Sequence, residues 1–339
     1  RMIKRLTIRN FRGIKEGTLD LSPLTVLLGA NNSGKSTILE ALFLASNPLR
    51  EVPYITIGKN AALNTVFFLH QTLEYQGFEF LFHNYTSDES EIECDINGDK
   101  YSLRFIKTLN YIFLCTNKTL DRYMGMFDYK NERIPYFGQA QINSLSSSGN
   151  EKRIIGETLL VNPNLINPCY RYLSQNWAPI INTGIMKKVA SDASKLSPEI
   201  YRDFTMEPFI GGQLDIYAYL EDGRRIRLGD LGEGIQSYII SKILFEWVKP
   251  EILLWDDMES HFNPRILRHI AEWFSDLLDQ GKQVILSTHS LEAVKLIAGV
   301  NEEETGIYLT SLEDSIFKTK KLTLSDVENL EKAGIDPRT

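Results

Sequence analysis

The stretch LTVLLGANNSGKST, Leu24 to Thr37, decides the fold. Leu24 to Gly29 is a short continuous apolar run, the pattern of a strand buried on both faces of a parallel sheet. Gly29 to Thr37 then fits the spacing G-x-x-x-x-G-K-[ST]. Glycines let such a loop wrap tightly, so that consecutive N–H groups, here across Asn31, Asn32, Ser33 and Gly34, aim at phosphate oxygens. The N-terminus of the following helix adds the positive end of its dipole. Lys35 is positioned to reach the β and γ phosphates, the Ser36 hydroxyl to hold Mg²⁺, and Thr37 to lie on the α-phosphate side. The plain alternative is a glycine-containing turn with an exposed lysine. A helix expected from about Ser36 to Ser46, burying Ile38, Leu39, Leu42 and Phe43, completes the strand–loop–helix unit and favours the phosphate loop.

Outward from this loop, the chain of 339 residues is long enough for about two domains, or one large domain with insertions. Its 43% hydrophobic and 24% charged content is ordinary for a globular protein. A net charge of −7 argues against a uniformly basic nucleic-acid binder, while leaving room for a local basic patch. Cys94, Cys115 and Cys169 are far apart and show neither zinc nor disulfide spacing, which suits a reducing, cytoplasmic setting. No apolar run approaches the roughly 20 residues of a membrane span, so no membrane partner is expected.

IKRLTIRNF, Ile3 to Phe11, alternates like an edge strand. Between about residues 60 and 120, TVFFLHQTLEY, FEFLFHNY, EIECDI, KYSLRFI and YIFLC read as successive strands, with INGDK as a hairpin turn. INSLSSSGNEKR, Ile142 to Arg153, reads as a mobile loop, and from about 165 to 205 the chain turns helical. LDIYAYLEDGRRIRL reads as a hairpin turning at Asp222-Gly223. A helix from about Gly234 aligns Ile235, Ile239, Ile243 and Trp247. A further helix opens at Asn263-Pro264, between the buried strands EILLWD and QVILSTHS. The expectation is an α/β fold with a discontinuous nucleotide-binding core over 1–60 and 210–339. An antiparallel β layer over 61–160 and a helical lobe over 161–209 are inserted into it.

A triphosphate loop needs a metal-side carboxylate on a neighbouring strand. LLWDDMES, Leu253 to Ser260, supplies Asp256 at the end of an apolar run. Asp257 then falls where a catalytic base is expected, with Glu259 as the fallback. His289 ends VILST, at the carboxyl edge of the sheet where ligands collect, and is a γ-phosphate candidate.

Together these motifs resemble the ABC-type ATPases of the SMC, RecF and overcoming-lysogenization-defect (OLD) clan. LTIRNFRGI leading into the phosphate loop is similar to the clan's opening, and LGEGIQS, Leu231 to Ser237, to its signature. LLWDDMESHFNP resembles its Walker B and D-loop, and LSTHS its switch histidine. Within the clan the chain looks most like the stand-alone OLD-related AAA family ATPases without a Toprim nuclease domain. The resemblance implies a P-loop fold of ABC type with a mixed, mainly parallel core sheet flanked by helices. It also implies a homodimer pairing head to tail around two ATP and Mg²⁺. The phosphate loop of one subunit would face Gly232, Glu233 and Gly234 of the other, whose helix N-terminus completes the γ-phosphate cage. Arg12 would approach the nucleotide, a solvated turn arginine being the alternative. Gln139 and Gln141 are candidates for the lobe-junction glutamine, and Asn263 for the D-loop, unless it caps the next helix.

Two departures bear on rate. Gly232 replaces the signature serine, and Asp257 stands where glutamate is usual. Aspartate is shorter by one C–C bond, roughly 1.5 Å, and a misplacement of about 1 Å can cost on the order of 100-fold. The leading expectation is a slow ATPase acting with nucleic acid in repair, genome maintenance or defence. The alternative is a regulatory or scaffold protein that dimerises on ATP, hydrolyses little and engages a separate effector protein. GRRIRL and FKTKKL are the main basic clusters for the first reading.

Overall fold

The computed structural model describes residues 2–56, 61–70, 78–109, 111–116, 123–128, 154–258 and 262–336. The stretch Ile142 to Arg153, Gln139, Gln141 and Glu259 lie outside the described residues.

Strand β1 (Arg5–Phe11) turns into β2 (Ile14–Asp20), and β3 (Leu24–Leu28) leads through the glycine loop into α1 (Lys35–Ala45). All of β3 is buried, as is all of α1 except Ser36, so the phosphate-loop unit sits in the centre of the molecule. Helix α2 (Ala62–His70) precedes β4 (Glu89–Ile96), β5 (Asp99–Lys107), β6 (Tyr111–Thr116) and β7 (Tyr123–Asp128). A short strand β8 (Thr158–Val161) enters the helical lobe of α3 (Ile166–Gln175), α4 (Trp177–Ile181) and α5 (Ile185–Ser194). Strands β9 (Tyr201–Pro208), β10 (Leu214–Leu220) and β11 (Arg225–Arg227) form a separate antiparallel sheet, and α6 (Glu233–Val248) follows. The alternation closes with β12 (Ile252–Trp255), α7 (Pro264–Asp279), β13 (Gln283–Thr288) and α8 (Leu291–Val300). It ends on β14 (Thr305–Glu313), β15 (Ile316–Leu322) and α9 (Leu324–Lys332).

The large sheet runs β7-β6-β5-β4-β1-β2-β15-β14-β3-β13-β12-β8 among the described residues. Its core, β14-β3-β13-β12-β8, is wholly parallel. Strands β3, β12 and β13 are buried at every position, which is why their sequences are unbroken rather than alternating. Strand β8 lies inside this parallel core, beside β12.

Three local expectations are corrected. Strand β1 is no edge: it pairs with β2 on one side and β4 on the other. Thr65–His70, expected as a strand, belongs to α2. Its aromatic content imitates a strand, but Leu63, Val66, Phe67 and His70 recur at helical spacing. Leu63 and Val66 are fully buried, and Phe67 packs 5.2 Å from Phe78 between ring centroids. Residues 78–85, also expected as a strand, form two single 3-10 turns around the left-handed Asn84. By contrast, Asn97 and Gly98, with φ of 57° and 90°, make the two-residue hairpin turn between β4 and β5. Asn263 caps α7: its side chain accepts from the Ile266 N–H at 2.9 Å, and Pro264 opens the helix.

Candidate functional site

The loop after β3 is held open by its neighbours. Asn32 (φ 63°) and Gly34 (φ 90°) are left-handed, a conformation asparagine tolerates and glycine adopts freely. A Cβ on Gly29 would lie 2.4 Å from Thr310 Oγ1 on β14, so no side chain fits there. Ser33 and Thr310 share a hydroxyl–hydroxyl hydrogen bond of 2.7 Å, which ties the loop to β14. The buried Lys35 ammonium donates to the carbonyls of Gly29 (2.7 Å) and Ala30 (2.8 Å), so it lies across the loop rather than in solvent.

Beside it, Ser36 Oγ donates to Asp256 Oδ1 at 3.1 Å. Asp256 is buried and accepts two further hydrogen bonds, from Ser287 Oγ to Oδ1 (2.7 Å) and from Asn162 Nδ2 to Oδ2 (3.0 Å). Three neutral donors from three elements therefore orient one carboxylate. Ser287 also accepts from the Asp257 N–H at 2.9 Å, so one hydroxyl sets both aspartates. The end of β13 fixes the following turn: Met258 N–H donates to Ser287 O (2.9 Å) and Thr288 Oγ1 to Met258 O (2.6 Å). Met258 is fully buried packing. Asp257 itself is left-handed (φ 51°), with its carboxylate nearly half exposed and Oδ1 3.9 Å from His289 Nε2.

Asn162 was not anticipated, nor was Ser287 in this part. A signal existed: TLLV then Asn162-Pro163 has the same strand-then-polar form as ILLW-Asp256. Asn162 sits at the junction where β8 enters the helical lobe, the place for which Gln139 and Gln141 were candidates. If Asp256 is the metal-side carboxylate read from the sequence, outer contacts of this kind tune metal affinity by about 10–100-fold. Asn162→Ala is accordingly expected to raise the Mg²⁺ concentration for half-maximal turnover by about tenfold, without unfolding the chain. Titration of ATPase activity with Mg²⁺, beside a circular-dichroism melt, checks this.

Arg12 is not a solvated turn arginine. It is left-handed (φ 53°), its side chain is 16% exposed, and it forms an ion pair with Glu40 of α1. Its Nη2 meets His70 Nδ1 at 3.2 Å, and His70 Nε2 meets both Glu40 oxygens at 2.7 and 2.9 Å. Burial lowers the Arg12 pKa to about 10, opposed by the negative charge of Asp256, so it is charged at neutral pH. Burial first, and Arg12 second, push His70 down to about 3. Its contact with Glu40 is thus a hydrogen bond from a neutral imidazole. Arg12 and His70 line a cavity of about 690 Å³ with Phe80, Phe82 and Tyr85.

The depressed His70 has a consequence for stability. Unfolded, the imidazole binds its proton near pH 6.5; folded, it refuses it until about pH 3. Its contribution is therefore complete above pH 6.5 and is lost as pH falls through that window, at up to about 1.4 kcal/mol per pH unit. Urea unfolding of His70→Gln at about pH 7 and about pH 5 is expected to show a flatter pH dependence than the parent.

Gly232 caps α6, and both it and Glu233 are exposed, while Gly234 is buried. Nothing lies within 4 Å of a Cβ built on Gly232, so the side-chain face of this position is open. Glu233 and Asp257 line one cavity of about 470 Å³ with Asn162 and Phe262. The structure thus gathers Lys35, Ser36, Asp256, Asp257 and His289 into one site. The basic cluster of β11 is neutralised. Arg224 pairs with Asp222 and Glu199, Arg225 with Glu207, and Arg227 with Asp215 and Asp230.

A phosphate loop facing two strand-end carboxylates and a histidine, in a parallel core extended by antiparallel strands, defines a P-loop ATPase of the ABC head class. The family described as "AAA domain, putative AbiEii toxin, Type IV TA system" matches residues 24–295, and the chain belongs to that family. An SMC head solved bound to the C-winged helix domain of ScpA is similar over 97% of this chain and 100% of its own, with a TM-score of 0.56 at 15% identity. The SMC head of Pyrococcus yayanosii, solved with a coiled coil and joint, is similar over 98% and 99%, with a TM-score of 0.55 at 11% identity. These likenesses show the fold. An OLD nuclease of Thermus scotoductus is 49% identical over 43 residues, 13% of this chain. The chain spans 8% of that relative's length. Family, fold and local identity agree on an ATPase of the SMC, RecF and OLD clan, and among the described residues no helix is long and apolar enough to cross a membrane.

Proposed function

We propose that the chain is an ATP-binding, slowly hydrolysing head that pairs head to tail around two Mg-ATP and acts with nucleic acid. The observation that carries this reading is the hydrogen-bonded line Ser36–Asp256–Ser287–Asp257. It sets a metal-side carboxylate and a candidate base one residue apart, beside the phosphate loop. The donor set fits Mg²⁺: a serine hydroxyl and one aspartate converge, with Asn162 as support. Among the described residues no group of three or more His, Cys, Asp or Glu could hold a metal. A serine hydroxyl and one aspartate leave the remaining positions of such an ion to substrate phosphates and water. Bound Mg²⁺ neutralises charge on the phosphates.

In this reading Lys35 leaves the carbonyls of Gly29 and Ala30 for the β and γ phosphates. Amides across Asn31 to Gly34 take the remaining oxygens, and Thr37 lies toward the α phosphate. Asp257 accepts a proton from the attacking water, while His289 orients the γ-phosphate. Arg12, held by Glu40, adds positive charge near the nucleotide. Gly232, Glu233 and Gly234 of a second subunit close the site from the opposite side through amides and helix dipole.

The nucleic-acid role leans on the OLD nuclease match. The ion-paired Arg224, Arg225 and Arg227 favour the second reading, an ATP-dependent dimer that engages a protein partner. One experiment separates them: light scattering and DNA retention with Mg-ATP at two salt concentrations. ATP-dependent, salt-sensitive DNA binding supports the first. An ATP-dependent dimer without DNA affinity supports the second, and a monomer under all conditions overturns both.

A further inference from the structure

The β9–β10 hairpin ends in a tip that the nucleotide chemistry does not use. Phe209 N–H donates to Gln213 O (2.6 Å) and Gly212 N–H to Phe209 O (3.0 Å), closing a tight turn through the left-handed Gly211 and Gly212. This closed turn presents apolar side chains to solvent: Ile210 is 82% exposed and Leu214 58%. The tip is also tied to the turn that starts α6. Arg227 stacks 4.1 Å over the Phe209 ring and pairs with Asp215 and, at 2.8 Å, with Asp230, two residues before Gly232. Tip and signature turn are therefore one braced unit.

A second feature lies beside the phosphate loop. A cavity of about 480 Å³ is lined by Asn31 and Asn32 of the loop, by Leu309 and Leu312 of β14, and by Lys318 and Lys320 of β15. The two surfaces carry opposite charge. Residues 199–233 hold eight carboxylates against four arginines, whereas the groove is lined by Lys320 and by Lys318, which pairs with Glu313 at 2.9 Å, and by no carboxylate.

We infer that the tip of one subunit docks into the β14–β15 groove of a second copy of this chain, with Ile210 and Leu214 against Leu309 and Leu312. The inference rests on the head-to-tail dimer proposed above. If the signature turn of one subunit meets the phosphate loop of the other, the element braced to the first meets the groove bordering the second. The lysines then face the acidic small sheet, which adds orientation to the apolar contact. The groove also touches Asn31 and Asn32, so docking reports directly on the loop that holds phosphate.

The test uses the whole 339-residue chain carrying Asp257→Asn to prolong the ATP-bound state, and Cys115→Ser, since Cys94 and Cys169 are buried. One preparation carries Leu214→Cys and the other Lys320→Cys, and a short bismaleimide is added with or without Mg-ATP. A control arm follows dimerisation of the same chain without the two added cysteines by light scattering, with and without Mg-ATP. Cross-linking of the Leu214→Cys and Lys320→Cys mixture that requires Mg-ATP and both variants is the expected result. Ile210→Asp should also weaken ATP-dependent dimerisation at least tenfold, a fold-change of about 1.4 kcal/mol. An ATP-dependent dimer in the control arm without the cross-link, and with Ile210→Asp dimerising normally, overturns docking and leaves the dimer standing. A monomer in the control arm with Mg-ATP overturns the dimer and the docking with it.

Discussion

Lys35→Ala is expected to abolish detectable nucleotide binding, by isothermal titration or fluorescent-nucleotide displacement, while leaving the fold intact. Lys35 is buried, and its ammonium lies within 2.8 Å of two carbonyls at the mouth of the loop. Charge-assisted hydrogen bonds contribute roughly 1.5–3 kcal/mol each, so losing two to phosphate weakens binding by about 10²- to 10⁴-fold. The substitution also leaves the Gly29 and Ala30 carbonyls without this donor, which affects stability as well as affinity. A melting temperature within a few degrees of the parent, together with absent binding, assigns the effect to phosphate recognition. Unchanged affinity would remove the phosphate loop from the site.

Asp257→Asn is expected to lower steady-state turnover by about 10²- to 10⁴-fold, the range for losing a positioned general base. Nucleotide affinity should be retained, and the ATP-bound dimer should accumulate. The geometry explains why the effect is specific. The Asp257 backbone is held through its N–H to Ser287 Oγ, a contact that asparagine keeps, while Ser287 and Asn162 donate to the carboxylate of Asp256. Asp257→Glu restores the side-chain length usual in the clan, and so is expected to raise turnover above the parent. If Asp257→Asn hydrolyses at the parental rate, the base lies elsewhere and Glu259 becomes the candidate.

Much of the site was legible because its parts are strand ends. GANNSGKST, ILLW-Asp256-Asp257 and VILST-His289 each place a polar group directly after an apolar run. Three parallel strands buried on both faces can be written in no other way. Asn162 follows the same rule after TLLV, but its strand has four residues and follows a stretch with no periodic pattern. The Arg12–His70–Glu40 group was illegible for a different reason. Its members are far apart in sequence, and His70 lay in a segment whose phenylalanines imitate a strand. The same ambiguity turned α2 and the two 3-10 turns into expected strands. Short apolar runs carry too few periods to separate helix from strand until a packing partner such as Phe78 selects one.

The sequence by itself determined the class of fold, and it located the phosphate loop and the two candidate carboxylates Asp256 and Asp257, because each depends on residues adjacent in the chain. Tertiary structure alone decided that Ser287 sets both aspartates and that Asn162 completes the support of Asp256. It also decided that Arg12 is buried against Glu40 and that the arginines of β11 are spent on internal ion pairs. The contacts of Ser287 and Asn162 with Asp256 depend on the order in which strands pair across the sheet. That order is set by burial of whole faces over long separations, which no local window of residues records.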